Sequence, residues 1–260
     1  MKNLDQSDLD YLIAAARDAG REILDVYETD FDVTRKQDAS PLTEADLRSH
    51  HLITRRLRER FPETPILSEE NGEETPYEIR GEWNEFWLVD PLDGTKEFIK
   101  RNGQFTVNIA LIREGRPVAG VVYAPAIEHL YYALEGHGAF KIGKDAPPAR
   151  LEATIPTNGE RLIIAGSLSH PTPEMDAFVA EQRGKYKHVE FLPMGSSLKI
   201  CLVAEGAADV YPRFGPTMEW DTAAAHAVAR EAGRKVIAHG TTRELPYNKR
   251  SLLNGWFVVS

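Results

Sequence analysis

The sequence predicts a layered α+β / α/β fold in two halves, an N-terminal antiparallel sheet with helices and a C-terminal mixed sheet with helices. Three observations predict it. The first 150 residues open with two stretches of helical periodicity and continue as strand-like segments joined by tight turns, the order of an α+β layer. Later, strand-like and helix-like segments alternate, the pattern of an α/β layer. Between them, Gly143 to Asn158 is rich in Pro, Ala and charge and places a boundary near residue 150, dividing 1–150 from 151–260.

Composition sets the outer limits. The chain has 260 residues, enough for one large domain or two closely packed ones, and is 42% hydrophobic and 27% charged, as expected of a globular protein with a sizeable core. A net charge of −9 argues against a general nucleic-acid or anionic-membrane surface while allowing a small phosphate ligand. Cys201, the single cysteine, lies in the apolar run Ile200-Cys201-Leu202-Val203 and reads as a buried thiol. Met1-Lys2-Asn3-Leu4-Asp5 lacks the apolar core of a signal peptide. No run approaches the roughly 18 apolar residues of a membrane span. A cytoplasmic protein is expected, with association at the inner face of the cell membrane left open, as is the choice between monomer and homodimer.

In chain order, Leu9, Leu12, Ile13, Ala16, Ile23 and Val26 recur on one helical face, with Ser7 as the expected cap and Asp10 three residues on. Thr34 to Ser40 reads as a polar connection. Thr43-Glu44-Ala45-Asp46 resembles a capping box and opens a second helix to about Arg60, with Leu47, Ile53 and Leu57 inward and Pro62 and Pro65 beyond its end. Pro65-Ile66-Leu67-Ser68 is a short strand delivering Glu69 and Glu70. Asn71 to Glu85, polar and acidic, reads as a mobile excursion. Phe105 to Ile112 and Val118 to Tyr123 are strands around the turn Arg113-Glu114-Gly115-Arg116. Leu130 to Leu134 and Ala139 to Ile142 are two more, around Glu135-Gly136-His137-Gly138. The second half predicts strands at Leu162 to Ala165, Val189 to Leu192, Ala208 to Tyr211, Val236-Ile237 and Trp256 to Val259. Its helices are Pro173 to Gln182, Ser197 to Glu205 with Leu198, Cys201 and Leu202 inward, and Asp221 to Ala232 ending at Gly233.

The densest chemistry lies in Trp87-Leu88-Val89-Asp90-Pro91-Leu92-Asp93-Gly94-Thr95-Lys96-Glu97-Phe98. Trp87 to Val89 is the apolar run of a buried strand. Pro91, which has no amide proton, is expected to end it. Asp93-Gly94 is a turn dipeptide, and Thr95 can cap a following helix. Asp90 and Asp93 then sit on a rigid bend at the mouth of a sheet, where two carboxylates repel unless a cation lies between them. Hard oxygen ligands suit Mg²⁺, and the following helix would offer amide protons to a phosphate. Taken alone, the spacing equally fits a capped turn whose acids face solvent. Two more acidic features stand at element ends. Glu69-Glu70 is otherwise a solvated loop edge, and Asp221, in Trp220-Asp221-Thr222-Ala223-Ala224-Ala225-His226, is otherwise a plain N-cap.

Taken together and in order, Ser68-Glu69-Glu70, Asp90-Pro91-Leu92-Asp93-Gly94-Thr95 and Trp220-Asp221-Thr222-Ala223-Ala224 resemble the motifs of the inositol monophosphatase-like, Mg²⁺-dependent, lithium-sensitive phosphatases. The resemblance runs from the first helix to the last, and the combination is far more specific than any one motif. Within that family, Asp90 through Ile112 (DPLDGTKEFIKRNGQFTVNIALI), Gly195-Ser196-Ser197-Leu198-Lys199 and Tyr211-Pro212-Arg213-Phe214-Gly215-Pro216-Thr217 are similar to the 3′(2′),5′-bisphosphate nucleotidase (CysQ) branch. Inositol monophosphatases typically lack Lys96-Glu97 and Ser197-Leu198-Lys199 in this form.

The resemblance implies an αβαβα sugar-phosphatase fold and a set of roles. Glu69, Asp90, Asp93 and Asp221, with the backbone carbonyl of Leu92, would bind two or three Mg²⁺ ions. Thr95 would orient the nucleophilic water with Asp46 behind it, which gives Asp46 a second reading beside the capping box; Glu69 completes the implied catalytic set. The amides of Gly94 and Thr95 would hold the scissile phosphate. The implied reaction is hydrolysis of adenosine 3′,5′-bisphosphate to AMP and phosphate by metal-activated water, a step related to sulfur assimilation, with no covalent enzyme intermediate. The sequence has no Cys-x5-Arg phosphatase loop.

A small-molecule nucleotide substrate brings a second phosphate, for which Ser167-Leu168-Ser169-His170, Lys199 and Arg213 are the candidates. The plainer readings are a solvated helix lysine for Lys199, a ligand-free helix approach for His170, and a loop-stiffening residue for Arg213. His226 reads as a packed histidine. The adenine contacts have no assignment. Two other functions share these motifs: an inositol or fructose-bisphosphate phosphatase with another pocket, and a non-catalytic nucleotide or metal sensor. The presence of Asp46, Thr95 and every carboxylate speaks against the sensor.

Overall fold

The computed structural model describes residues 4–29, 33–35, 41–152, 159–167 and 172–260, with backbone only at 33–35, 41–43 and 73–74. The chain begins with helix α1 (Gln6–Tyr27), strands β1 (Val33–Arg35) and β2 (Pro41–Thr43), and helix α2 (Glu44–Arg60). Strand β3 (Ile66–Ser68) leads into a 3₁₀ turn (Glu69–Glu74) and helix α3 (Tyr77–Arg80). Next come β4 (Glu85–Asp93), helix α4 (Thr95–Ile99), β5 (Thr106–Arg113), β6 (Arg116–Ala124), β7 (His129–Leu134), β8 (Gly138–Ile142) and β9 (Ala149–Leu151). The remainder is β10 (Arg161–Gly166), α5 (Pro173–Arg183), β11 (His188–Pro193), α6 (Leu198–Ala204), β12 (Tyr211–Arg213), α7 (Glu219–Glu231), β13 (Val236–Ala238) and β14 (Phe257–Val259).

Strands β3 to β9 form one sheet in chain order. Alternation along its strands splits two cores. Trp87, Val89, Val107, Ile109 and Val121 face α1 and α2, while Phe86, Leu88, Ala110, Ile112 and Val122 face α6 and α7. Each such side chain contributes roughly 1.5–3 kcal/mol when fully buried, so burial on both faces, not strand propensity, dominates here. Beyond α6 and α7 lie the C-terminal strands. β10 and β11 pair in parallel, β14 pairs antiparallel with β12 and β13, and a parallel bridge between Ile164 and Val210 links the two groups. Helix α5 covers their far side through Phe178 and Val179. Five layers result, in the order αβαβα.

Helix α7 lies unusually close to the first sheet. Its inward residues include Ala223, Ala224 and Ala227, and the last two meet Gly120 on β6. A Cβ on Gly120 would lie 2.3 Å from the carbonyl oxygen of Ala224.

Several expectations are corrected. Asp5, not Ser7, caps α1, accepting from the Asp8 amide at 3.0 Å while the Asp8 carboxylate accepts from the Asp5 amide. Leu47 is 39% exposed, because the inward face of α2 runs through Ala45, Asp46, Ser49, Ile53 and Leu57. The Thr43 capping box rests on a side chain outside the described residues. Part of the expected polar connection, Thr34 and Arg35, pairs with β2. The expected mobile excursion is instead structured: Arg80 is buried and donates to Asn248 Oδ1 and the Arg250 carbonyl. The first sheet is not purely antiparallel, since β3 joins β4 in parallel through this crossover. The strand expected from Ala208 begins at Tyr211.

Candidate active site

The site is built on an irregularity in β4. Asp90 pairs with Asn108 and Asp93 with Thr106, so Pro91 and Leu92 together oppose one residue of β5. This is a β-bulge, and it corrects the expectation that Pro91 ends the strand: a proline can sit where the ladder needs no amide proton. The Pro91–Leu92 peptide is held at both ends. Ser49 Oγ of α2 donates to the Pro91 carbonyl at 2.7 Å, and the Leu92 amide donates to Asp90 Oδ1 at 3.1 Å. Gly94 follows with φ +90°, a left-handed conformation that glycine adopts without a Cβ penalty. It, not Thr95, is the N-cap of α4; Thr95 is the first helical residue, its hydroxyl turned to the Leu92 carbonyl at 3.5 Å.

The other acids arrive from separate elements. Ser68 pairs with Val89 in the parallel ladder, so Glu69 leaves β3 beside Asp90. Its approach is fixed by Ser68, whose hydroxyl bonds His50 Nδ1 and whose amide donates to Asn71 Oδ1. Asp46 is buried in the first turn of α2. Asp221 is not the N-cap of α7 but its third residue, and its Oδ2 accepts from the Met218 amide at 2.9 Å.

These carboxylates converge electrostatically. Burial pushes the Asp90 carboxyl well above the usual carboxylate range, and the charges of Glu69, Asp93, Asp221 and Asp46 push it further. Burial and then Asp93 do the same to Asp221, against the Met218 amide, with Glu69 adding to the rise. Asp93 is raised less, because the Lys199 ammonium and hydrogen bonds from Ser196 and Ser197 oppose its burial. Among the described residues, no three acidic, histidine or cysteine side chains close to the spacing of a finished metal cage. Asp90, Asp93 and Asp221 each turn one oxygen to a main-chain amide, those of Leu92, Ser197 and Met218. A mutually repelling, all-oxygen donor set with Asp90 buried and Glu69, Asp93 and Asp221 half-buried is the environment a hard divalent cation relieves, so these residues fit Mg²⁺.

A cavity of about 120 Å³ adjoins the acids, lined by Asp93, Gly94, Ser196, Lys199, Arg213 and Asp221 among others. Lys199 is not a solvated helix lysine. It is 7% exposed, donates to the Ser196 carbonyl at 2.6 Å and lies 5.6 Å from the centre of the Tyr211 ring. Burial lowers its pKa to about 8 despite the attraction of Asp93. Arg213 donates to the Pro216 carbonyl at 2.8 Å, while its buried Nε has no hydrogen-bond partner among the described residues. The cavity thus brings acidic and basic side chains together. Ser167 lines the same cavity, whereas Ser169 and His170 lie outside the described residues. His226 is packed: its Nδ1 meets the Tyr247 hydroxyl at 2.9 Å, and burial drives its pKa down to about 3.

Four participants had no role assigned from the sequence. Glu97, there only a mark of the nucleotidase branch, lines the cavity. Thr106 and Asn108 stand across the ladder from the two aspartates, which only strand register reveals. Glu219, fully buried, accepts from Lys249 Nζ at 2.6 Å and from the Asn248 and Lys249 amides, anchoring the start of α7 just before Asp221. No local pattern joins residues 219 and 249.

Comparison with known proteins places this geometry. The profile of the inositol monophosphatase family matches residues 5–256. The protein named 3′(2′),5′-bisphosphate nucleotidase CysQ in Salmonella typhimurium is 46% identical over 256 residues, covering 97% of this chain and 99% of its own. The protein of that name in Haemophilus influenzae is 38% identical and is covered over 94% of its length. The crystal structure of CysQ from Bacteroides thetaiotaomicron superposes with a TM-score of 0.85 at 46% identity, covering 98% of this chain and 97% of that one. An inositol monophosphatase from Thermotoga maritima, at 24% identity, shares the fold with a TM-score of 0.77, covering 98% and 92%. The chain belongs to the inositol monophosphatase family.

Proposed function

We infer that this chain is a Mg²⁺-dependent 3′(2′),5′-bisphosphate nucleotidase that hydrolyses adenosine 3′,5′-bisphosphate to AMP and phosphate. The observation that carries the reading is the mixed lining of one cavity. Asp93 and Asp221 share it with Lys199 and Arg213, so one phosphate can meet the acid cluster while the cations receive a second. A substrate with two phosphates uses both kinds of group. Full-length relatives bearing the nucleotidase name support the same substrate.

Glu69, Asp90, Asp93, Asp221 and the Leu92 carbonyl would hold two or three Mg²⁺ ions. Bound there, Mg²⁺ supplies charge neutralisation on the phosphate and acidifies water. The chain's own residues do the rest. The Thr95 hydroxyl, 3.5 Å from the Leu92 carbonyl, has lone pairs that would accept from a water proton. For Asp46, in α2, to act as the base, the hydroxyl would turn from that carbonyl and pass its own proton to Asp46 as it takes one from water. The amides of Gly94 and Thr95 would take a phosphate oxygen. Lys199, Arg213 and Ser167 would grip the second phosphate, with Ser169 and His170 following Ser167 in the chain. The division near residue 150 fits this split of labour: Glu69, Asp90 and Asp93 precede it, and the phosphate grip and Asp221 follow.

At about 120 Å³ the cavity is smaller than the roughly 300–1,000 Å³ of typical ligand pockets, and on this reading its part is to take phosphate. Among the described residues no helix is long and apolar enough to cross a membrane. A cytoplasmic location belongs to this reading, supported by a buried, unpaired Cys201 that suits a reducing compartment. The test is kcat/KM for adenosine 3′,5′-bisphosphate, inositol 1-phosphate and fructose 1,6-bisphosphate with Mg²⁺. The bisphosphonucleoside should lead by orders of magnitude, and a lead for inositol 1-phosphate overturns the assignment.

A further inference from the structure

The turn that precedes α6 is tied to the sheet by buried polar side chains to which none of the roles above assigns a task. Ser197 Oγ donates to Asn108 Oδ1 at 2.9 Å. Its one proton is thereby used, so in its 2.9 Å contact with Thr106 Oγ1 it accepts. Thr106 Oγ1 also lies 2.6 Å from Ser196 Oγ. Thr106, Asn108 and Ser197 are all almost wholly buried. Thr106 and Asn108 are the residues paired across the ladder with Asp93 and Asp90, so the network grips the acid-bearing bulge from the neighbouring strand.

On its other side the network holds the turn. The Ser197 amide donates to Asp93 Oδ2 at 2.6 Å, and the Gly195 amide donates to Gln104 Oε1 at 2.7 Å. Ser196 between them has φ +52°, a conformation that non-glycine residues seldom adopt and that persists only where surrounding bonds over-determine it. The Ser196 carbonyl in turn receives Lys199 Nζ. One turn therefore touches an acid of the cluster through its amide and the buried Lys199 ammonium through its carbonyl.

We propose that Thr106 and Ser197 are positioning residues that register the phosphate-gripping turn against the metal-binding strand, so that Mg²⁺ affinity and the placement of Lys199 are set by one buried hydroxyl pair. The proposal rests on the nucleotidase reading for what the cavity holds. A carboxylate oriented by a second partner binds metal more tightly than one free to rotate, and loss of such a partner costs about 10- to 100-fold in metal affinity. The partner of Asp93 is the Ser197 amide, which the hydroxyl pair holds in place, so loss of a hydroxyl should cost about 10-fold, the lower end of that range.

The experiment is calorimetry of Mg²⁺ binding to metal-free protein without substrate, paired with kcat and KM for adenosine 3′,5′-bisphosphate. Thr106→Val and Ser197→Ala should each weaken Mg²⁺ binding by about 10-fold and raise KM, while Thr106→Ser, which restores the hydroxyl, should stay within about threefold of wild type. Should Ser197→Ala fail to fold, the two Thr106 variants carry the test between them. Wild-type Mg²⁺ affinity in Thr106→Val overturns the proposal, even if its melting temperature falls. Equal loss in Thr106→Ser and Thr106→Val also overturns it, since packing and not the hydroxyl would then be responsible. The calorimetry needs no substrate, so a wild-type preference for another phosphate ester would refute the substrate assignment and leave this test standing.

Discussion

Replacing Lys199 with methionine should make the ligand-free protein more stable and a poorer nucleotidase. The side chain is buried, and its pKa falls from 10.5 to about 8, with burial the largest cause and Arg213 a smaller one, against the pull of Asp93, Glu97 and Asp221. That lowering corresponds to roughly 3 kcal/mol by which the fold disfavours the ammonium at neutral pH. Methionine fills similar space without the charge, but leaves the Ser196 carbonyl without its donor at a cost of about 0.5–1.5 kcal/mol. Lys199→Met should therefore gain about 2 kcal/mol at pH 7.

The sign with pH follows from linkage. The penalty on wild type is complete below pH 8 and lifts as pH climbs from about 8 towards 10.5, because only the folded form has then shed its proton. The advantage of the variant should accordingly be largest at pH 7 and shrink towards zero by pH 10. Urea melts of both proteins, without metal, at the two pH values measure this, and titrations of groups that Lys199 does not influence cancel in the difference, leaving the Asp93 response as part of the effect. In kinetics, loss of a charge-assisted bond to phosphate, about 1.5–3 kcal/mol, should raise KM for adenosine 3′,5′-bisphosphate by about 10- to 150-fold. Adenosine 3′-monophosphate, which lacks the second phosphate, should be almost unaffected. A variant that is destabilised at pH 7, with the same loss on both substrates, would refute the argument for Lys199.

Three other outcomes are expected. Asp90→Asn should abolish turnover while circular dichroism shows the fold intact; retained activity would remove Asp90 from the metal set. Metal-free protein should lose stability as pH rises from the ordinary carboxylate range through the raised pKa values of Asp90, Asp93 and Asp221, by up to about 1.4 kcal/mol per pH unit for each group titrating, and Mg²⁺ should flatten that slope. Urea midpoints at pH 5 and 7.5, with chelator or Mg²⁺, would expose a flat metal-free profile if the acids do not share a site. Gly120→Ala should destabilise by about 1–3 kcal/mol, read from urea melts, because its Cβ meets the Ala224 carbonyl and α7 must lift from the sheet.

What could be read in advance follows the range of the interactions. The acids of the bulge, the pair after β3 and Asp221 were legible because each sits in a short motif whose residues speak to one another locally. Leu47 misled for the converse reason. One apolar residue at helical spacing suggested an inward face, but that face of α2 meets the bulge and carries Asp46 and Ser49, so polar residues point in. Pro91 misled because its missing amide ends an ideal ladder, and the bulge supplies a position that needs none. Lys199 was left between a solvated and a bound lysine, since its burial depends on Tyr211 and the Ser196 carbonyl. The Glu219–Lys249 pair and the Arg80–Asn248 pair join residues far apart in the chain and have no local trace.

The core under α6 and α7 draws on both ends of the chain, from Leu67, Phe86 and Leu88 through to Phe257 and Val259. During synthesis, a ribosome that has released only the first 150 residues presents Glu69, Asp90 and Asp93 without Asp221, Lys199 or the covering helix that carries Asp221. On the proposed reading such a fragment holds only part of the acid set and none of the cations for a second phosphate, so neither half of the chain carries the site by itself.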